Sequence, residues 1–342
     1  MRETIAAFLL LLSGAAAAAP APAPRSSDRI VILNKSDDTA TIVEAVTGKS
    51  VATIPVGHGP HEAAVLADGR TCAVSDYGDR EKPGRTITLL DVEKGTKIGA
   101  IELPSGARPH GLAPLPDGRL LVTAEGLKEL LVVDPKARRV EQQIPTFQDV
   151  SHMVVSTPDG ARAFVANIGS GSVTVVEGRK AIRQIPTGKG AEGIAITPDG
   201  RQVWVANREA DTVSVIDARS LEVIGEVAAA KFPIRVKITS DGRRALVSCA
   251  SSGEVAIFDA TTRRPIGRIA IAATPEGGAT HVSSSPGERP EIVGLLVAPD
   301  NRRAWVAAAG ADFVAALDLE KLAVVGRLVA GHGPDGMAGA FR

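Results

Sequence analysis

Aromatic residues are scarce, 3% of the 342 residues, and neither of the two tryptophans is followed by aspartate. That sets aside repeats keyed to a Trp-Asp dipeptide. Cysteine is nearly absent: Cys72 and Cys249 are the only thiols. The repeat register below separates them around a ring, beyond disulfide reach, so both are expected to be buried small apolar residues. No charge excess exists either, since Lys plus Arg and Asp plus Glu each number 39. Nucleic acid needs a basic surface, and this balance argues against it as a partner. Gly-x-Ser-x-Gly elbows, Walker loops and dinucleotide fingerprints are missing as well.

Long hydrophobic runs are also lacking. The stretch Ile5 to Leu12 falls well short of the roughly 20 residues that span a bilayer, and no later segment comes closer. With Arg2 before it and the small-residue run Ala15 to Ala19 after it, it reads as a cleavable signal peptide over 1–19. The expected location is therefore periplasmic or secreted, with no membrane span once the signal is removed. Residues 20–28 read as a disordered linker and 29–342 as the folded domain.

What the chain has is repetition. An apolar run, a turn, a second run, a polar gap and a third run recur, with turns at Asp68-Gly69, Asp117-Gly118, Asp159-Gly160, Asp199-Gly200, Asp241-Gly242 and Asp300-Asn301. A period near 40 residues, carried by short β-branched runs without helical spacing, marks a β-propeller blade. The unit between 193 and 229 shows four strands most plainly: Gly193 to Ile196, Gln202 to Asn207, Thr212 to Asp217 and Val223 to Ala228. Residues 29 to 56 supply three strands with no first one, and Gly336 to Phe341 a lone first strand. The expected fold is all-β: a seven-bladed β-propeller of four-stranded antiparallel blades, its ring closed by N-terminal strands pairing with a C-terminal strand. Asp-Gly is expected in tight hairpins with both residues at positive φ. The acidic residues ending each third strand (Glu44, Asp91, Asp134, Glu177, Asp217, Asp259, Asp318) are expected as turn caps.

The phrases Phe164-Val-Ala-Asn167 and Trp204-Val-Ala-Asn207, followed by Asp211 to Asp217, resemble the YVTN-repeat family of bacterial β-propellers, in the exported seven-bladed group that includes cytochrome d1-like and lactonase-like propellers. The resemblance covers residues 29 to 342 and implies the propeller fold and export, without implying a reaction.

In a propeller the innermost strand begins, and the second strand ends, around the channel mouth. Counting from the turns, the innermost strands begin near His61, His110, His152, Glu192, Ile234, Val293 and Asp335, and the second strands end at Asp76, Glu125, Asn167, Asn207, Cys249, Ala308 and Asn34. Two adjacent blades, those of Ile234 and Val293, are apolar at both levels, and the other five are polar. All six histidines (His58, His61, His110, His152, His281, His332) fall in connections into a first strand and should share one face. Two longer links, Tyr77 to Arg85 and Ala273 to Arg289, are expected as loops on that face.

The expected site is a ligand- or protein-binding rim of His61, Asp76, His110, Glu125, His152, Asn167, Glu192, Asn207, Asp335, Asn34 and Arg108. A small ligand or a periplasmic protein is its expected partner, and a monomer the expected state. An alternative makes the rim a zinc or copper site with His61, His110 and His152 as ligands, because neutral imidazoles suit both metals, and with Asp76, Glu125, Glu192 or Asp335 to add an oxygen ligand or orient an imidazole. A second rests on Ser151-His152-Met153-Val154 with Asn167, which is similar to a stretch of the phosphogluconolactonase family. It implies a lactonase-like hydrolase with His152 or His110 as general base, Glu125 or Glu192 as its partner and Arg108 as an anion contact. Nucleic-acid binding is the weakest alternative.

Overall fold

The computed structural model describes residues 25, 27–273 and 290–341. Their strands form seven four-stranded antiparallel sheets arranged as blades of a ring. Blades one to six occupy 60–102, 109–145, 151–186, 191–228, 233–270 and 292–329 in chain order. Blade seven is composite. Its innermost strand, Pro334–Ala340, pairs antiparallel with Arg29–Asn34, which continues into Thr39–Glu44 and Ser50–Pro55. Closing the ring in this way leaves no unpaired edge on the first strand of the domain. The expected signal peptide, most of the expected linker, His281 and nearly all of the Ala273 to Arg289 link lie outside the described residues.

Each blade is apolar on both faces of its inner strands because it is packed between two neighbours. Leu246, Val255 and Ile257 of blade five meet Leu295, Val306 and Ala315 of blade six in one cluster. Trp204 of blade four and Phe258 of blade five have ring centroids 6.4 Å apart, and Trp305 stacks on Phe341 at the ring closure. The outermost strands face solvent, with Val325 and Val329 exposed. Cys72 and Cys249 are buried and unpaired, and burial pushes each thiol up to about 12.

The hairpin turns depart from expectation in one respect. Only the glycine is left-handed (Gly69 at +66°, Gly118 at +88°, and Asn301 at +59° in blade six). The aspartate keeps ordinary φ and uses its carboxylate instead: Asp117 Oδ1 accepts from the Arg119 N–H at 3.0 Å, and Asp300 Oδ1 from that of Arg302 at 2.9 Å. One residue at positive φ and one side-chain cap thus share the turn. The third-strand aspartates cap as expected. Asp134 Oδ1, for example, accepts from the N–H groups of Lys136 and Ala137. The longer Glu44 and Glu177 reach side chains instead, Thr47 and Arg162. In blade one the strands Thr71–Gly78 and Pro83–Asp91 extend through most of the expected Tyr77 to Arg85 loop, leaving 79–82 as the turn.

Every innermost strand is irregular at the same place. In blade one Pro60 faces Asp76 and Ala63 faces Val74, so His61 and Glu62 together oppose Ser75. Equivalent register shifts occur in the other six blades. This β-bulge defeats the usual alternation and lets two consecutive side chains reach the channel. Blades two, four, six and seven carry glycine at its second position, where neighbouring innermost strands approach closely. A Cβ on Gly294 would stand 1.9 Å from the Asp335 carbonyl oxygen, and one on Gly336 would stand 2.2 Å from that of His61.

Candidate functional site

Side chains from six blades meet at the channel mouth in one connected belt. Tyr77 of blade one donates its hydroxyl to Glu125 Oε2 of blade two at 2.6 Å. Glu125 Oε1 bonds His152 Nδ1 of blade three, and His152 Nε2 lies 3.4 Å from Glu192 Oε1 of blade four. Arg235 of blade five donates to Glu192 Oε1 at 3.0 Å and returns to blade one through Glu62 Oε1 at 2.6 Å. Blade seven joins through Asp335, whose carboxylate lies 3.1 Å from His61 Nδ1 and 4.0 Å from Arg235. Blade six contributes only Val293, in an apolar group with Ile234 and Ala250.

The rings stack inside this belt. His110 lies between His61 and His152, with centroids at 4.9 and 3.6 Å, and Tyr77 meets it edge-on at 5.3 Å. Arg108 covers Tyr77, 4.3 Å above the ring. His110 is 1% exposed, and neither of its nitrogens has a hydrogen-bond partner. Leaving a buried polar atom unpaired costs about 1–3 kcal/mol, and this imidazole carries two such atoms, while His61 Nδ1, Asp335 Oδ1 and Arg108 Nε around it each lack a hydrogen-bond partner as well.

The electrostatics separate the two stacked histidines. Burial, then electrostatic repulsion from His152 and Arg235 among its neighbours, hold His110 well below the usual imidazole value, so it is neutral. Burial also disfavours charge on His152, but bonds to Glu125 and Glu192 outweigh it and raise the pKa. The carboxylates respond in kind. Burial pushes Glu125 up and the His152 contact more than reverses this. Glu192 ends at about 2, because His152, Arg235 and Arg208 overcome its burial. Asp335 is also lowered, with His61 and Arg235 outweighing burial.

Of the expected rim residues, the structure brings together His61, Arg108, His110, Glu125, His152, Glu192 and Asp335. It does not bring Asn34, Asp76, Asn167 or Asn207 to the cluster, and these four are corrected to positions inside their own blades. Asp76 accepts from the Gly57 N–H and from the hydroxyls of Thr86 and Thr88. Asn34 donates to Thr39 and Thr41, Asn167 to Thr174 and Asn207 to Ser214. The end of a second strand has to satisfy the polar groups between strands two and three, and a short amide or carboxylate does so.

The metal set changes too. Among the described residues, the group whose ligand atoms lie within 4.8 Å of one another is His110, Glu125 and His152. His61 is outside it and sits against Asp335. Glu62, Tyr77 and Arg235 were not expected from the sequence. Tyr77 carried a signal, being the only tyrosine in the chain. Arg235 lies in a blade read as apolar, one residue beyond Ile234. The five described histidines do share a face: His58 and His332 bond Asp38, Asp79 and Asp37 in the loops around the mouth. A cleft of about 760 Å³ between blades three and four is lined by Asp159, Arg162 and Asp217 at the turn end and touches none of the belt.

Residues 147–286 match the family model of the YNCE-like beta-propeller. Three solved structures share the fold. Hydrazine synthase of Kuenenia stuttgartiensis is 20% identical, with 82% of this chain and 89% of that one covered at a TM-score of 0.69. A functionally unknown protein from Desulfotomaculum acetoxidans DSM 771 is 13% identical, covering 91% and 98% at 0.73. Dihydro-heme d1 dehydrogenase NirN in complex with DHE is 17% identical, covering 91% of this chain and 66% of that one at 0.63. No curated protein sequence matches the chain. The chain is a β-propeller, and at these identities the likeness speaks for the fold alone. No helix among the described residues is long and apolar enough to cross a membrane.

Proposed function

We propose that the chain is an exported propeller module that binds a small polar ligand at the channel mouth, with His110 as its central contact. One observation carries this reading: a neutral, buried imidazole with both nitrogens unpartnered, inside a cluster where His152, Glu125, Glu192, Glu62 and Arg235 hold one another by hydrogen bonds and ion pairs. A residue present only for packing would be served as well by an apolar ring, without the cost of two unpaired polar atoms. The neutral imidazole offers one donor and one acceptor, and His152, Glu125 and Arg235 around it are already fixed by their own bonds. A preorganised polar group at the mouth of a rigid ring suits binding. The lactonase-like reading is less well supported, because neither nitrogen of His110, its neutral candidate base, is bonded to a carboxylate that would orient it, and the carboxylates Glu125 and Glu192 lie against His152 instead. Export rests on Arg2, the run Ile5 to Leu12 and Ala15 to Ala19.

The test is thermal denaturation of the purified chain in EDTA against a panel of small carboxylates, sugars and amino acids, beside His110→Leu. A compound that raises the melting temperature of the wild type and not of the variant supports the proposal. Absence of any shift across the panel combined with no uptake of a metal ion in chelator-free buffer, or shifts that persist in His110→Leu, overturns it.

A further inference from the structure

Resting on that binding reading and deepening it, we infer that the ligand at this site is a divalent transition-metal ion of the zinc class, held by His110, Glu125 and His152. The three residues come from adjacent blades and enter from different directions. His110 is on the innermost strand Pro109–Pro114, His152 on Ser151–Ser156, and Glu125 opens the short 3-10 turn Glu125–Leu127 after a second strand. Their ligand atoms lie within 4.8 Å of one another. Two imidazoles and one carboxylate are a ligand set that zinc accepts while keeping a fourth position open.

The partners behind the ligands fit the same assignment. Metal-bound histidine is commonly oriented by a carboxylate on its second nitrogen, and Glu192 Oε1 lies 3.4 Å from His152 Nε2. The Tyr77 hydroxyl holds Glu125 through the oxygen that His152 does not use. On binding, the proton shared by Glu125 and His152 Nδ1 is released to solvent, both atoms bond the ion in its place, and His110 gains the partner it lacks. His58, half-buried, and His332, exposed, are paired with aspartates in the loops and form a built-in control: they can chelate adventitiously but are not part of the set.

The purified chain, stripped with EDTA and exchanged into chelator-free buffer, is titrated with Zn2+ by calorimetry and with Co2+ by visible absorption. The expected result is one ion per chain, with a Co2+ spectrum of low coordination number. The near-isosteric Glu125→Gln should weaken binding at least about tenfold, the low end of what even a supporting residue costs, and His110→Leu should abolish it. The double variant His58→Ala/His332→Ala should bind as wild type does. No saturable uptake, unchanged uptake in Glu125→Gln and His110→Leu, or loss in the surface double variant overturns the inference. If His110→Leu loses its cooperative melt, Glu125→Gln decides. The two failures separate cleanly: an organic compound bound in EDTA and lost in His110→Leu leaves the binding reading standing without the metal, whereas neither kind of binding removes both.

Discussion

Arg235 and Glu62 are 173 residues apart in the chain, yet they face each other across the channel with Nη2 and Nε 2.6 and 3.0 Å from Oε1. Both occupy the second bulge position of their innermost strands, in blades five and one. The guanidinium also reaches Glu192 and lies beside Asp335, so a single buried cation is shared by three carboxylates. Blades from opposite sides of the ring are tied by this contact.

Removing that cation is expected to be costly, because the carboxylates remain buried without it. Arg235→Ala should lose about 3–5 kcal/mol in urea unfolding, as breaking one partner of a buried pair does. Arg235→Met combined with Glu62→Leu should lose less than the two single changes added together, which a double-mutant cycle measures. Strict additivity would mean that the pair is not coupled.

Two glycines should respond differently to an added methyl group. Gly294→Ala drives Cβ against the Asp335 carbonyl of the next blade and should cost about 3 kcal/mol or more, the upper range for overpacking. Gly118→Ala meets nothing within 4 Å and suffers only its φ of +88°, for about 1 kcal/mol. Equal melting temperatures for the two variants would count against close contact between innermost strands.

Deleting residues 334–342 removes the innermost strand of blade seven and bares one edge of Arg29–Asn34. The shortened chain should self-associate in gel filtration and become protease-sensitive near residues 29–56, since an open edge invites pairing. A monomeric, resistant product would argue that the other three strands of that blade stand without their partner.

The loop histidine His58 gives a pH dependence with a definite sign. Its bonds to Asp79 and then Asp38 raise it above 6.5, and it in turn lowers Asp79 from 3.8 to about 2. The histidine's contribution is complete below pH 6.5 and fades as pH rises through its elevated value. The Asp79 contribution is present above 3.8 and fades as pH falls toward 2. The pairing should therefore be strongest between the two unfolded-state values. Proton NMR should place the His58 midpoint above 6.5, and in Asp79→Asn closer to it. A wild-type midpoint at or below 6.5 would refute the pairing.

Much of this could be read directly from the chain. The six turns at Asp68-Gly69 through Asp300-Asn301 marked six blades, because a four-stranded blade needs one such hairpin per period, and the strands left over at the two ends made the seventh. Counting from them placed His61, His110, His152, Glu192 and Asp335 at equivalent points, and all five meet in the structure. The same count misled at Asp76, Asn34, Asn167 and Asn207. Position along a strand says how near the mouth a residue lies, and says nothing of whether its side chain is used between strands two and three.

By itself, then, the sequence determined the all-β ring, its seven blades, its closure through a C-terminal strand, read as Gly336 to Phe341 and found at Pro334–Ala340, and the face on which the described histidines gather, since these follow from local periodicity and turn chemistry. Only the tertiary structure decided which side chains touch. The pairing of Glu62 with Arg235 joins residues far apart in sequence, and the isolation of His110 depends on what its neighbours from blades one and three leave unmet. The β-bulge is the physical reason. A regular strand sends adjacent side chains to opposite faces, which would turn Glu62 and Arg235 away from the channel that His61 and Ile234 approach. One extra residue per innermost strand brings both into it.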